Sequence, residues 1–308
     1  MSDLRVEELD RLYAALRERG GRGGRPLAGS TVARIHTVVR SALGQAVVWG
    51  WRMDNPAERA SPGRYDAAEI TPPSTDDVRR LFDAAFEKDL ELLTFVALEA
   101  ETGARRGELA ALRFTDFAQG AVSINRSVVV GLDTPENRRQ YEGHYWVAGV
   151  SRCEKATAVI EKNKPKNRRS IRTIALSEPA VALVADLRAQ HVARALQCGT
   201  TLPADSFVFA TDIEGSRPIR PETWTRRFTR LRAEVGLETV RLHDLRHFVA
   251  TTLLASGTDL ATVAGRLGHG SGGKTTLAIY GHFLRGAAPD RAAAELLAGL
   301  VRAGGPTT

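Results

Sequence analysis

Apolar residues recur at helical spacing along most of this 308-residue chain, and only one stretch, about residues 120–176, is rich in β-formers bounded by turns. That imbalance constrains the fold more than any other feature. It calls for a mainly α protein with a small antiparallel β-sheet, an α+β arrangement, rather than a parallel sheet.

The helical periods also divide the chain. Val6, Leu9, Leu12, Tyr13 and Leu16 share one face over residues 5–19, and Ile35, Val38, Val39, Leu43 and Val47 do so between about Thr31 and Trp51. The run Gly20-Gly21-Arg22-Gly23-Gly24-Arg25-Pro26 separates them, and Asn55-Pro56 ends the second. Two helices bury little area, so this unit is small. Ser61-Pro62-Gly63 and Thr71-Pro72-Pro73 have the composition of a linker, and Ser74-x-x-Asp77 then caps a helix carrying Val78, Leu81, Phe82 and Ala85. The expected division is a helical unit over 1–60, a linker over 61–73 and a larger unit over 74–308.

In the larger unit helices are expected at about 90–100, 108–112, 178–197, 221–235, 243–256, 259–267, 274–282 and 290–302. Strands are expected at 121–125, 127–130, 157–160 and 170–176, the last two paired around a basic turn. Residues 131–153 have no clean period and read as an insertion or long hairpin.

Lys and Arg number 43 against 36 Asp and Glu, a formal charge of +7. Such a surplus fits a polyanionic partner as well as an ordinary positive surface. Cys153 and Cys198 have no metal-like spacing, so neither a disulfide framework nor a zinc site is indicated. No apolar run reaches the roughly 18–20 residues needed to span a bilayer, and Met1-Ser2-Asp3-Leu4-Arg5 has no apolar signal core. A cytoplasmic, nucleoid-associated protein that needs no membrane, metal or cofactor is the expectation.

Several short strings carry chemistry. Thr102-Gly103-Ala104-Arg105 puts an arginine at a sharp helix end, where a phosphate could approach, and Glu108 could hold an arginine through a bidentate pair. His243-x-x-Arg246 places an imidazole and a guanidinium about one turn apart. His269 lies at the edge of a glycine-rich turn, and Tyr280 follows near the end of the next helix. Six cations, Lys162, Lys164, Lys166, Arg168, Arg169 and Arg172, stand between 162 and 172 with no acid among them. Arg220, Arg226, Arg227 and Arg230 make a basic stripe that suits phosphate contact or a major groove. Arg34, His36 and Arg40 decorate the second N-terminal helix. Taken alone, the arginine turn, the basic run and the tyrosine are better explained as a surface arginine, a solvated turn and a packing residue. His243-x-x-Arg246 alone is ambiguous with a capped helix start. Together, arginines that stay charged at any working pH and a nearby phenol suit chemistry on a phosphodiester.

In their order these strings resemble the tyrosine recombinases, specifically the catalytic domain of phage-type integrases. Thr102-Gly-Ala-Arg-Arg-Gly-Glu-Leu109 resembles the first arginine box, and Pro165-Lys166-Asn-Arg-Arg-Ser-Ile-Arg-Thr-Ile174 the lysine-bearing hairpin. His243-Asp-Leu-Arg-His247, Leu267-Gly-His269 and Tyr280-Gly-His282 resemble the second box. The likeness covers roughly 74–303. Residues 5–57 resemble the later part of the family's helical core-binding domain, with no room for an arm-type DNA-binding domain before it. Against the family, residues 131–155 are a long insertion and the turn after His269 is about one residue longer.

The resemblance implies catalytic roles for Arg105, Lys166, His243, Arg246, His269 and Tyr280. It implies DNA contacts by Arg34, Arg40, Lys164, Arg168, Arg169, Arg226, Arg227 and Arg230. Tyr280 would attack a DNA phosphate to give a 3′-phosphotyrosine, for integration or excision of a mobile element. Double-stranded DNA would be the partner, with a tetramer of this chain on synapsed duplexes and accessory DNA-bending or directionality proteins. The helix expected at 290–302 would dock on a neighbouring protomer, the protein being largely monomeric before it meets DNA. The alternatives are DNA relaxation of the type IB topoisomerase kind and a decayed, non-catalytic DNA-binding protein. A metal-dependent phosphoester hydrolase lacks its carboxylate cluster.

Overall fold

The computed structural model describes residues 4–64, 71–150, 156–162, 171–269 and 274–280. The backbone separates into two compact units, Met1–Ile70 and Thr71–Thr308.

The first unit holds α1 (Val6–Arg19) and α2 (Gly29–Val48). Gly23 and Gly24, at φ +71° and +74°, turn the chain between them through a conformation that residues with a Cβ avoid. Leu9, Tyr13, Val32, Leu43, Ala57 and Ala60 form its core. The Tyr13 hydroxyl lies 3.2 Å from His36 Nδ1, so the one polar tip in this core is satisfied. After α2 the chain returns over α1, where Ser61 N donates to Asp10 Oδ1 at 2.8 Å. Arg34 and Arg40 point outward from α2.

The second unit begins with α3 (Thr75–Phe86), capped reciprocally by Ser74 and Asp77. Next come α4 (Leu90–Thr102) and the short α5 (Arg106–Leu109). The strand-rich part holds β1 (Phe117–Ala118), β2 (Ala121–Ile124), β3 (Ser127–Leu132), α6 (Pro135–Gln140), β4 (Tyr145–Val150), β5 (Ala156–Lys162) and β6 (Arg172–Ala175). Then follow α7 (Glu178–Gln197), α8 (Pro221–Glu234), α9 (Asp244–Ala255), α10 (Leu260–Leu267) and α11 (Lys274–Tyr280). Segment 290–302 lies outside the described residues.

The helix α4 is apolar nearly all round, as a helix at the centre of a core must be. Leu92, Phe95, Val96 and Leu98 are all buried, and α3, α7 and α9 pack around it. Trp224 of α8 stacks on Phe95 with ring centroids 4.0 Å apart and meets Phe209 edge-on at 4.9 Å. Trp224, Phe95 and Phe209 thus join α8 to α4.

Two three-stranded antiparallel sheets flank these helices, in the orders β1-β2-β6 and β3-β5-β4. The structure therefore corrects one expected pairing. Strands form at both expected places, as β5 and β6 (Arg172–Ala175), but among the described residues they do not pair with each other. Instead β6 pairs with β2, setting Ile174 opposite Val122, while β5 lies between β3 and β4. The inward alternation of Arg172 and Ile174 matches that of Val122 and Ile124, so burial selects this partner. Of the stretch 131–153, expected as an insertion or long hairpin, residues 131–150 are described and contribute α6 and β4, which pairs antiparallel with β5.

Candidate active site

Three parts of the chain meet on one side of the second unit: the α4–α5 turn, the start of α9, and the end of α10 with α11. Arg246 joins them. Its side chain is 2 % exposed and donates to the carbonyls of Gly103 and Leu267, the latter at 2.6 Å. Gly103 caps α4 and Leu267 ends α10, so both acceptors lie at helix C-termini, where the carbonyls carry the negative end of the dipole.

The turns that supply those carbonyls need glycine. Gly103 sits at φ +61°, and a Cβ there would stand 2.6 Å from Leu267 Cδ2. Gly268 sits at φ +66°, where a Cβ would fall 2.8 Å from Arg172 Nη1. Burial, then the neighbouring Arg105, pushes the Arg246 pKa down to about 10, which leaves it charged at neutral pH.

Arg105 occupies the cap position of α5, and its side chain remains 45 % exposed. Its backbone N donates to Glu108 Oε2 at 2.9 Å, and its Nη1 donates to Glu108 Oε1 at 2.9 Å. The same carboxylate accepts from Arg172 Nη2 at 2.8 Å. Burial pushes the Glu108 pKa up, but Arg172, with Arg105 behind it, outweighs burial and holds it below the usual carboxylate range. Arg172 Nε also donates to Arg266 O at 2.6 Å, linking β6 to α10.

Around these arginines the imidazoles are kept neutral. Burial, then the charges of Arg246, Arg105 and Arg172, holds His269 down to about 4. Its Nδ1 lies 2.7 Å from the hydroxyl of buried Thr276. His243 immediately precedes α9 rather than lying inside it, and burial, His247 and Arg246 hold it down to about 4. The Asp244 carboxyl anchors this turn by accepting from Arg241 N and Nη2, both at 2.8 Å.

Tyr280, at the end of α11, is 1 % exposed. Burial pushes its phenol up to about 12, against the pull of Arg246. Its hydroxyl lies 2.5 Å from His247 Nδ1, with ring centroids 5.6 Å apart.

Arg105, His243, Arg246, His269 and Tyr280 are thus brought together, each within electrostatic reach of Arg246 or in contact with its neighbours. Lys166, and with it Lys164, Arg168 and Arg169, lies outside the described residues. On α8, Arg226 and Arg230 are exposed. Arg227 is drawn inward instead, donating to Asp89 at 2.6 Å and to Glu91 at 2.7 Å, over the face of Trp224. A groove of about 780 Å³ runs beside Arg105, Arg106 and Asn125, between α5, β3 and the start of α8. Among the described residues no His, Cys, Asp or Glu cluster could hold a metal ion, and no helix is long and apolar enough to cross a membrane.

Two members of the cluster escaped the sequence reading. Arg172 was legible only as one cation of a basic run. Its position two residues before Ile174, on the inward face of a strand, is the signal that sets it apart. His247 follows His243 by one turn, but its contact with Tyr280 depends on where α11 packs.

The chain is 24% identical over 207 residues to the ICEBs1 integrase of Bacillus subtilis (strain 168), covering 67% of this chain and 49% of that protein. It is 23% identical over 291 residues to an integrase of Saccharopolyspora erythraea, covering 82% and 62% respectively. It therefore spans about half of the first relative's length and under two thirds of the second's. Among solved structures, the Tn1549 transposon integrase in complex with transposon right end DNA superposes with a TM-score of 0.70 at 16% identity, over 96% of this chain and 86% of that one. A lambda integrase dimer bound to a core site gives 0.57 at 15% identity, over 91% and 80%. Those likenesses establish the fold. Residues 146–285 match the phage integrase family, a span that includes His243, Arg246, His269 and Tyr280.

Proposed function

We propose that this protein is a site-specific DNA recombinase that breaks and rejoins strands through a 3′-phosphotyrosine on Tyr280. The observation that carries the reading is Arg246, a buried, charged guanidinium held by two helix-end carbonyls beside Arg105, two neutral imidazoles and a phenol. A buried charge is costly unless it is hydrogen-bonded. Here those bonds fix the fork in place and aim its remaining donors, a preorganisation suited to the equatorial oxygens of a phosphate in transition.

In this reading the Tyr280 oxygen attacks phosphorus in line and the bond to the 5′ oxygen breaks. Arg246 and Arg105 neutralise the charge that grows on the non-bridging oxygens, and His269 adds a hydrogen bond through Nε2. Lys166 protonates the departing 5′ oxygen, and His243 helps take or steer the Tyr280 proton. The phosphotyrosine conserves the energy of the broken bond, so a 5′-hydroxyl of another strand can reverse the step without ATP. Glu108 and Arg172 hold Arg105 and the α10 end in register.

Arg34 and Arg40 on the first unit, with Arg226 and Arg230, would contact DNA phosphates. A lambda integrase tetramer has been solved on a Holliday junction, with a TM-score of 0.54 to this chain. A tetramer of this chain on two synapsed duplexes, with accessory DNA-bending proteins, is the corresponding assembly. The test is to incubate the protein with nicked duplexes of randomised sequence and isolate covalent protein–DNA product. Capture of a defined sequence at Tyr280 supports the reading. Relaxation of any supercoiled plasmid without sequence preference would instead favour a topoisomerase.

A further inference from the structure

We propose that Arg106 is a second phosphate ligand of this site: its guanidinium holds a DNA phosphate next to the one that Arg105 and Arg246 would grip. This rests on the recombinase reading and extends the contact by one nucleotide along the strand.

Placement carries the assignment. Arg106 is the first residue of α5, directly after Arg105, and both side chains line the groove of about 780 Å³. Both are 45 % exposed, so each can meet a ligand from solvent. The backbone beneath them is close-packed. A Cβ on Gly107 would stand 2.6 Å from Val128 O, which seats α5 against β3 and leaves the pair little freedom to drift. Consecutive Cα atoms are about 3.8 Å apart, and phosphates of one DNA strand recur about every 3.4 Å of helix axis. Two neighbouring arginines therefore match two neighbouring phosphates.

The partners of Arg106 set it apart from the other cation in the groove. Arg126 donates to both oxygens of the Asp116 carboxylate, which cancels its charge. Arg106 Nη1 donates instead to the Thr225 hydroxyl on α8 at 2.6 Å, a neutral ligand that orients the fork. Glu222 Oε1 lies 3.9 Å from Nη2, too far for a hydrogen bond, and so exposed a pair is worth little. A phosphate oxygen would give Nη2 a charged acceptor within reach, and the bidentate fit of guanidinium to phosphate favours that exchange. Held at the adjacent phosphate, the strand has less freedom at the scissile one. Binding energy gained at Arg106 thus goes into aligning phosphorus with Tyr280.

The test uses the full chain and a nicked duplex that wild-type protein has selected from a randomised pool. In a set of such duplexes each phosphate near the scissile one is replaced in turn by an uncharged methylphosphonate. Binding, and single-turnover cleavage at saturating DNA, are measured for wild type and Arg106→Ala. On unmodified DNA, Arg106→Ala should bind ~10-fold more weakly at low salt and cleave more slowly. A methylphosphonate next to the scissile phosphate should weaken wild-type binding by the same factor, yet weaken Arg106→Ala by no more than about twofold. At more distant positions the two losses should multiply. Losses that multiply at both flanking positions as well overturn the proposal. So does wild-type protein indifferent to both flanking substitutions, a result that needs no variant to fold. A purely structural role has its own signature: if Arg106 only braces α8, Thr225→Val reproduces the loss in Arg106→Ala and no position couples. Thr225→Val should instead lose less than Arg106→Ala and stay sensitive to the flanking methylphosphonate. A wild-type chain that forms no adduct at Tyr280 overturns the recombinase reading and this one together; an adduct with no coupled position overturns this one alone.

Discussion

Arg246 and Arg227 are both arginines on helices, both largely withdrawn from solvent, and both held by oxygen ligands, yet their partners differ. Arg227 meets two carboxylates, Asp89 and Glu91, which cancel its charge and tie α8 to the start of α4. Arg246 meets two carbonyls, which orient it without neutralising it. The first arrangement is a fastening. The second keeps its positive charge, which in the proposed mechanism would meet the transferred phosphate, and burial first, with that charge adding to it, keeps the histidines around it neutral. What separates a structural from a functional arginine here is the formal charge of its ligands, not its burial.

The sharpest break of the comparison is at the nucleophile. Tyr280→Phe should abolish covalent capture of DNA, read as loss of the slow-migrating band on a denaturing gel. DNA binding, which rests on many phosphate contacts, should stay within about twofold. An adduct persisting in that variant would move the nucleophile elsewhere and leave Arg246 without its proposed task.

Next in size is Arg246→Ala. Adduct formation should fall by ~10²–10³-fold or more, the scale on which a preorganised donor acts. The chain should also lose stability, because the carbonyls of Gly103 and Leu267 are left buried and unpaired at about 1–3 kcal/mol each. Arg227→Ala should lower stability by about 1–2 kcal/mol and leave the adduct yield almost unchanged. Urea unfolding beside the gel assay separates the two; equal catalytic loss in both variants would erase the distinction.

Much of this was legible in the sequence, for identifiable reasons. Helices α7 to α11 follow the apolar spacing closely because each buries one face, and Ser74 with Asp77 marks the start of α3 by local hydrogen bonds alone. Arg105, His243, Arg246, His269 and Tyr280 came from short strings in a fixed order. Long-range choices were not legible. Nothing local tells β6 to leave β5 for β2, because alternation marks a strand but not its partner. His243 and His247 share a helix face, and only the packing of α11 decides which one meets the phenol. Arg227 reads like Arg226 and Arg230 until Asp89 and Glu91 arrive from a distant part of the chain.

A smaller effect concerns pH. His243 and His269 are held to about 4 in the folded chain, against 6.5 ordinarily. Between those values the unfolded chain binds more protons than the folded one, so stability rises with pH across that window and falls as acid is added. Above about pH 7 both states are neutral at these positions and the contribution is flat. Urea midpoints should therefore decline from pH 7 to pH 4.5, and His269→Asn should make the decline shallower. An unchanged midpoint over that range would mean that these imidazoles are open to solvent, and that Arg246 is less shielded than its two carbonyls imply.

The smallest effect tests the stripe itself. Arg230 is exposed on α8, on the side away from the buried face that carries Trp224 and Phe228. If it contacts a DNA phosphate, Arg230→Ala should weaken binding by a few-fold at low salt, with little dependence on DNA sequence. It should also reduce the slope of log affinity against log salt by about one, the share of a single phosphate contact. Arg227→Ala, whose charge is already cancelled by carboxylates, should leave that slope unchanged even as it loosens the fold. Titrating both variants against one duplex at three salt concentrations reads the two slopes directly. A changed slope for Arg227 would mean that DNA pulls it away from Asp89 and Glu91, and the fastening would then be a resting contact that binding exchanges for a phosphate.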